Sequence, residues 1–154
     1  MSIEIERKFL ITGNDWRQGA QSSYCRQGYI FAEKKGIVRV RIIDQKGYLT
    51  IKSVPVGLKR HEYEYEIPIF DANSMLDNLC ENYIVEKKRY KLKYTDHFWE
   101  IDEFMGYNEG LILAEIELSD ENESFERPPW IDKEVTQDPK YYNSSLSKKP
   151  YCQW

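Results

Sequence analysis

Apolar and polar residues alternate along most of this chain, and the alternating stretches are rich in Ile, Val, Tyr and Thr. A period of two is the mark of strands that turn one face to a core. It predicts strands over 2–12, 24–33, 37–44, 47–54, 60–69, 83–94, 97–104 and 111–119. Lys35-Gly36 and Lys46-Gly47 mark tight turns between neighbours, and Gly106 to Gly110 marks a longer one. Helical spacing is confined to three places. Asp71 to Asn82 opens on an N-cap candidate and carries Met75, Leu76 and Leu79, while Ser119 to Glu126 is stopped by Arg127-Pro128-Pro129. A third helix begins near Tyr141 and includes Leu146. So many strands with so few helices predict an antiparallel barrel or a strongly curved sheet.

Sorting the strands by face gives each an ionic side and an apolar side. Glu4, Glu6 and Lys8 share a face; so do Arg39 and Arg41, then Thr50 and Lys52, then Arg60, Glu62, Glu64 and Glu66. Lys87, Arg89 and Lys91 follow, then Glu100 and Asp102, then Glu115 and Glu117. Ionic faces ordinarily look at water, but here the charges are grouped by sign along each strand. Same-face neighbours sit about 7 Å apart. Like charges at that distance repel by roughly 2 kcal/mol at an effective dielectric near 20, before salt screening. A divalent cation between carboxylates, or a polyanion between cations, gives such grouping a purpose. If an eight-stranded barrel closed with its ionic face inward, the lumen would hold one small, strongly anionic ligand with its metals. The apolar faces would then point outward and need helices or a second subunit to cover them, so a homodimer is expected.

Composition narrows the class further. The chain has 154 residues, enough for one domain with a sizeable core, and its 41% hydrophobic and 14% aromatic content excludes a disordered polypeptide. No apolar run is long enough to span a membrane as a helix. Charges in Met1-Ser2-Ile3-Glu4-Ile5-Glu6-Arg7-Lys8 occupy the place of a signal peptide's apolar stretch, so a cytoplasmic protein is expected. The net charge of −4 argues against nucleic acid as the main partner. Cys25, Cys80 and Cys152 are odd in number and widely spaced, and read as reduced thiols.

The ionic motifs, taken in order, resemble a known family. Glu4-Ile5-Glu6-Arg7-Lys8 has the Glu-x-Glu-x-Lys form that opens the CYTH superfamily, the triphosphate tunnel metalloenzymes. Arg39-Val40-Arg41, Thr50-Ile51-Lys52, Glu62-Tyr63-Glu64, Glu86-Lys87-Lys88-Arg89-Tyr90, Glu100-Ile101-Asp102 and Glu115-Ile116-Glu117 follow in the family's order. The segment from Glu134-Val135-Thr136 through Asp138-Pro139-Lys140-Tyr141-Tyr142-Asn143 resembles the family's C-terminal part. The likeness covers essentially the whole chain, as one domain over 1–154, and is closest to short bacterial members.

The resemblance implies a β-rich α+β fold, an eight-stranded antiparallel closed β-barrel with a few short helices. Its lumen would hydrolyse a terminal phosphoryl group with Mg²⁺ or Mn²⁺. By position, Glu4, Glu6, Asp102, Glu115 and Glu117 would hold metal, while Lys8, Arg39, Arg41, Lys52, Lys87 and Arg89 would grip phosphates. Glu62, Glu64 and Glu100 fit as supporting anchors or as contributors to a second metal. Carboxylates suit Mg²⁺, and positioning with charge neutralisation is what phosphoryl transfer needs. The resemblance offers Tyr29 and Lys87 as catalytic residues: Tyr29 matches a tyrosine that short members carry near a lumen lysine, here Lys87, whose ammonium would lower the phenol's pKa and suit it to act as a side-chain base. The alternative for Tyr29 is an aromatic packed at a strand end. His61 and His97 are unclustered and read as non-ligands, and the four tryptophans read as packing or interface residues.

Inorganic tripolyphosphate is the expected substrate, because so short a chain leaves little material for a nucleoside- or thiamine-binding cap. Hydrolysis of thiamine or nucleoside triphosphates, or cyclisation of ATP, would use a similar site. A protein that only sequesters polyphosphate is the third reading. Its weakness is that such a binder gains nothing from four acidic pairs.

Overall fold

The period-two alternation is realised as one continuous antiparallel sheet. The computed structural model describes residues 3–154. Its strands are β1 (Ile3–Ile11), β2 (Ser22–Glu33), β3 (Gly36–Ile43), β4 (Lys46–Lys52), β5 (Lys59–Ile67), β6 (Glu81–Tyr94), β7 (His97–Phe104), β8 (Ile112–Glu117) and β9 (Ile131–Glu134). They run in the order β5-β4-β3-β2-β6-β7-β8-β1-β9, and an additional β5–β1 pairing closes the first eight into a barrel. The expected barrel, rather than an open curved sheet, is therefore what forms. Each expected strand is present with ends moved by one or two residues; position 2 of the first lies outside the described residues.

Closure depends on β1. One edge of it pairs with β8 over Glu6–Leu10. Its other edge pairs with β5 over Ile3–Ile5 and then, further along, with β9 at Phe9 and Ile11. The ninth strand is an addition to the expected set. It is four residues long, Ile131-Asp132-Lys133-Glu134, too short to show a period.

The helices differ from expectation in two ways. α1 (Ile69–Asn78) begins two residues before Asp71, directly after Pro68, so Asp71 lies in its first turn and does not cap it. Pro68 supplies the extended backbone ahead of the helix, and its carbonyl accepts from the Ala72 N–H. The helix expected over Ser119–Glu126 does not form. Its backbone groups are taken up locally: Glu123 N–H donates to the Asp120 carbonyl, and Glu123 Oε1 accepts from both the N–H and the hydroxyl of Ser119. α2 (Asn143–Lys148) corresponds to the third expected helix.

Three apolar clusters account for the fold's cohesion. Outside β1, β7 and β8, Ile5, Phe9, Trp99, Ile101, Ala114 and Ile116 are covered by Trp16, Phe125 and Trp130 from the connecting segments. Trp99 meets Phe9 and Trp130 edge-on, with ring centroids 5.6 and 5.8 Å away. Outside β3, Val40 and Ile42 pack under Ala72 and Leu76 of α1. The third cluster stands on the inward face. Val85, Phe104 and Leu113 each lie two residues from an inward ionic position (Lys87, Asp102 and Glu115), and Leu146 of α2 and Val135 close over them. One end of the barrel is thus filled with hydrocarbon.

Gly47 lets α1 lie flat on β4. A Cβ there would stand 2.6 Å from the Ala72 Cβ and 3.2 Å from the Ile67 carbonyl oxygen. Gly47→Ala is expected to cost about 1–3 kcal/mol by lifting the helix. A thermal melt that superimposes on the parent's would contradict this close approach.

Candidate functional site

With the apolar face of each barrel strand turned outward, the opposite face looks into the lumen. Buried there are Glu4, Lys8, Gln27, Tyr29, Arg39, Arg41, Thr50, Lys52, Lys87, Asp102 and Glu115. Burying so many charges is costly unless each is paired or serves a ligand. Their pairings differ sharply from wall to wall.

Asp102, at the middle of β7, is the best-satisfied anion. It accepts from Lys87 Nζ at 2.8 Å and takes a two-pronged contact from Arg89, Nε to Oδ1 at 2.8 Å and Nη2 to Oδ2 at 2.9 Å. Arg89 also reaches Glu100 at 3.2 Å and Glu115 at 3.4 Å. Burial alone would raise the Asp102 carboxyl, but Arg89 and Lys87 hold it below the usual range. Burial likewise works against the Glu115 carboxylate, and Lys8 and Arg89 keep it well below normal. Lys87 is fully enclosed, and burial pushes its ammonium down to about 8 despite Asp102.

A second group surrounds Glu4. Lys52 Nζ lies 3.2 Å from both its oxygens, and Arg60 Nε donates to Oε2 at 2.9 Å. Against the burial that would raise it, these two cations hold Glu4 at about 2. Lys52 also meets Glu62 at 3.0 Å. Thr50 donates to Glu64 at 2.9 Å, and Arg39 contacts both Thr50 and Glu64, at 3.3 and 3.5 Å.

The wall formed by β2 and β3 is different. Arg41 makes no ion pair among the described residues; its Nε donates to Gln27 Oε1 at 2.9 Å. Arg39 Nε is buried and has no hydrogen-bond partner. Burial and the neighbouring Arg41 charge lower the Arg39 pKa. Two buried guanidiniums with a spare N–H form a receptor for anionic oxygens.

Across the ring lies the opposite imbalance. The closed barrel puts β8 four steps from β3 and β1 three, and there Glu6 of β1 and Glu117 of β8 make no ion pair among the described residues. Burial and the charges of Glu115 and Glu4 raise the Glu6 carboxyl well above normal. Burial, then Glu4, Glu62 and Glu100, raise Glu117. Carboxylates that crowd one another without a cation are the donor set that Mg²⁺ or Mn²⁺ takes. Among the described residues, however, no three acidic, histidine or cysteine side chains converge as a ready-made metal cage. Lys52 and Arg60 engage Glu4, and Lys87 and Arg89 engage Asp102, instead of leaving these oxygens to converge. The donor chemistry fits a divalent cation once these pairs rearrange.

Tyr29 departs from expectation. Its hydroxyl accepts from Gln27 Nε2 at 2.9 Å, while Lys87 is directed to Asp102 and to Asn143 Oδ1 at 3.0 Å. Burial raises the phenol's pKa, outweighing the lowering by Arg39 and Arg41, so the expected reduction by Lys87 is reversed. Sequence reasoning assigned no site role to Gln27, Thr50, Arg60 or Asn143, although Thr50 and Arg60 stood on ionic faces. Arg60 was legible as the same-face neighbour of Glu62 and Glu64, and Thr50 as that of Lys52. Gln27 and Asn143 are neutral and carry no pattern of their own. His61 and His97 lie away from the lumen cations, His97 pairing with Glu123, and the cysteines are free thiols. Trp16, Trp99 and Trp130 are buried packing residues, while Trp154 is exposed.

A tunnel of this topology, with cations facing carboxylates, is matched by the family model described as the CYTH domain, which covers residues 2–151. The chain belongs to the CYTH family. Among its CYTH relatives, an inorganic triphosphatase of Acetivibrio thermocellus is 52% identical over 98% of this chain and 97% of that protein. An inorganic triphosphatase of Nitrosomonas europaea is 38% identical over 94% of this chain and 96% of its own length. A crystal structure of an inorganic triphosphatase superimposes with a TM-score of 0.67 at 33% identity, covering 96% of this chain and 95% of that one. No helix among the described residues is long and apolar enough to cross a membrane.

Proposed function

We propose that this CYTH protein hydrolyses the terminal phosphoryl group of inorganic tripolyphosphate with Mg²⁺ or Mn²⁺. The observation that carries this reading is the under-compensated guanidinium wall of Arg39 and Arg41, facing the crowded carboxylates of β1 and β8. A polyphosphate chain lying between them, with a divalent cation on the acidic side, offsets both imbalances. The inorganic triphosphatases at 52% and 38% identity support the same substrate.

Glu4, Glu6, Asp102, Glu115 and Glu117 would hold the cation, with Glu62, Glu64 and Glu100 placed to assist. When bound, such an ion neutralises charge on the phosphoryl oxygens. Arg39 and Arg41 bind the phosphate chain from the opposite wall, joined by Lys8, Lys52 and Arg89. Lys87 orients a non-bridging oxygen through its remaining N–H. Tyr29, protonated at neutral pH, donates from the same wall, with Gln27 fixing its oxygen. The apolar filling at one end excludes water there and limits how far a chain can enter. Exposed Ile51, Tyr63, Tyr65 and Phe70 on the outside of β4, β5 and α1 leave surface for a second copy, and a homodimer working in the cytoplasm is part of the proposal.

Phosphate release from tripolyphosphate, ATP, thiamine triphosphate and pyrophosphate, each with Mg²⁺, Mn²⁺ or EDTA, tests the reading. Release from tripolyphosphate that EDTA abolishes is expected. Faster release from an organic triphosphate would move the substrate while keeping the lumen's chemistry. Folded protein that releases phosphate from none of the four would overturn the assignment.

A further inference from the structure

The C-terminal segment lies far from the ionic strands in sequence, yet one of its side chains enters the lumen. Asn143, the first residue of α2, presents its Oδ1 to two donors at once, Lys87 Nζ at 3.0 Å and Gln27 Nε2 at 3.3 Å. Both neighbours are donors, so the amide's orientation is fixed by its surroundings. Gln27 is itself locked, because Arg41 donates to its Oε1 and its Nε2 also donates to the Tyr29 hydroxyl. Asn143 is therefore the junction at which the lysine of β6 and the Gln27–Tyr29 pair of β2 meet.

An ammonium has three N–H bonds in tetrahedral array. Asp102 Oδ2 takes one of Lys87's and Asn143 Oδ1 takes another, which fixes the direction of the third. Without Asn143, Lys87 would be tethered at Asp102 alone. Asp102 is already held on both oxygens by Arg89, so it cannot turn to follow the ammonium. The lysine could then swing about a single contact.

We propose that Asn143 is a positioning residue that aims the Lys87 ammonium at the substrate, so that seating of the C-terminal segment completes the site. The inference rests on the reading of Lys87 as a phosphate-orienting group. The backbone supports such a coupling: Lys8 Nζ donates to the Tyr141 carbonyl at 3.2 Å, and Leu146 is fully buried against Val85 and Phe104. One short stretch thus ties β1, β2 and β6 together at the filled end of the barrel.

The test compares three variants at this position with Lys87→Met. Asn143→Leu removes the acceptor while filling its space; Asn143→Ala removes it without adding bulk, should leucine not be accommodated. Asn143→Asp keeps an acceptor oxygen. With tripolyphosphate and Mg²⁺, Asn143→Leu or Asn143→Ala is expected to lose roughly 10- to 100-fold in kcat with KM changed less than about threefold. Asn143→Asp should recover most of that loss. In lysine-¹⁵Nζ-labelled protein, the Lys87 ammonium signal, assigned by its absence from Lys87→Met, should be ordered in the parent and in Asn143→Asp, and broadened in Leu or Ala. Parent-like kcat and an unchanged ammonium signal in both Leu and Ala variants would overturn the proposal, as would an Asp variant as impaired as they are. If Lys87→Met keeps full turnover, the role given to Lys87 fails instead, and the ammonium signal still reports whether Asn143 orders it.

Discussion

Asp102→Ala is expected to melt about 10 °C below the parent, the largest stability loss of any single lumen substitution. Asp102 is fully buried and is the one anion that both Lys87 and Arg89 address directly. Removing one partner of a buried ionic group costs about 3–5 kcal/mol, because the remaining charge is left without compensation. For a chain of this size each kcal/mol shifts the midpoint by about 2–4 °C. Arg89 would still find Glu100 and Glu115, but Lys87 would be left with Asn143 alone.

The loss should depend on pH, in a direction that Lys87 sets. Burial lowers its pKa to about 8, from an ordinary 10.5. Between those values the unfolded chain holds a proton that the folded chain has released, so this group's contribution to stability rises with pH across that window. Without Asp102 the ammonium is still less favoured, so the variant sheds that proton at lower pH and recovers part of its stability sooner. The gap between variant and parent should therefore be wider at pH 6 than at pH 9. Burial raises the Cys80 thiol to about 11, which acts oppositely above pH 9, but it is common to both proteins and cancels in the comparison. Melts at the two pH values decide the matter, and an equal gap at both would mean that Lys87 is not the group left uncompensated.

Glu6→Gln should lose roughly a hundredfold or more in metal-dependent turnover and yet gain stability. Burial and two neighbouring carboxylates make a charge on Glu6 unfavourable. A carboxyl raised in this way keeps its proton in the folded chain after the unfolded chain has lost it. Its contribution to stability is therefore present at low pH and lost as pH rises through the folded-state value. An amide carries no such dependence. It can also donate to a neighbouring carboxylate. Relief of about 1 kcal/mol, or some 2–4 °C, is expected at neutral pH, shrinking toward pH 4. The activity falls because crowded carboxylates are what a divalent cation needs, and several kcal/mol of charge stabilisation go with it. Turnover is read by phosphate release and stability by thermal melting. A Glu6→Gln protein that loses stability at neutral pH would contradict this electrostatic account, and one that keeps full turnover would remove Glu6 from the metal set.

How much of this was legible in the sequence follows from which interactions have a period. Eight strands were readable because each sorts its ionic and apolar residues onto opposite faces, so that Glu4-Ile5-Glu6 or Arg39-Val40-Arg41 alternates without a break. The grouping of charges by sign pointed to the lumen for the same reason. β9 was not readable: its partner is the far half of β1, and four residues offer no repeat. The segment after Ser119 resembled a helix in composition alone; its local bonds around Glu123, and the His97 contact, hold it otherwise. Tyr29 was noted as a site candidate, but its partner and the direction of its pKa shift depend on Gln27 and on burial. The outward faces were expected to need cover, and most receive it from Trp16, Phe125, Trp130 and α1. Those residues come from connecting segments, whose placement no local pattern encodes.

The two-sided pairing of β1 also bears on the order in which the molecule can assemble. The strand made first finds its neighbours around residues 59–61, 113–117 and 131–134, so most of the chain must emerge from the ribosome before closure is possible. Contacts between such distant stretches form slowly, because long loops must close before any of them is rewarded. Glu4, Glu6 and Lys8 ride on that strand. Glu4 can be seated against β5 early, but Glu6 and Lys8 lie in the half of β1 that pairs with β8, and Glu115 and Glu117 lie on β8 itself. The acidic wall is therefore the last part of the lumen to be assembled.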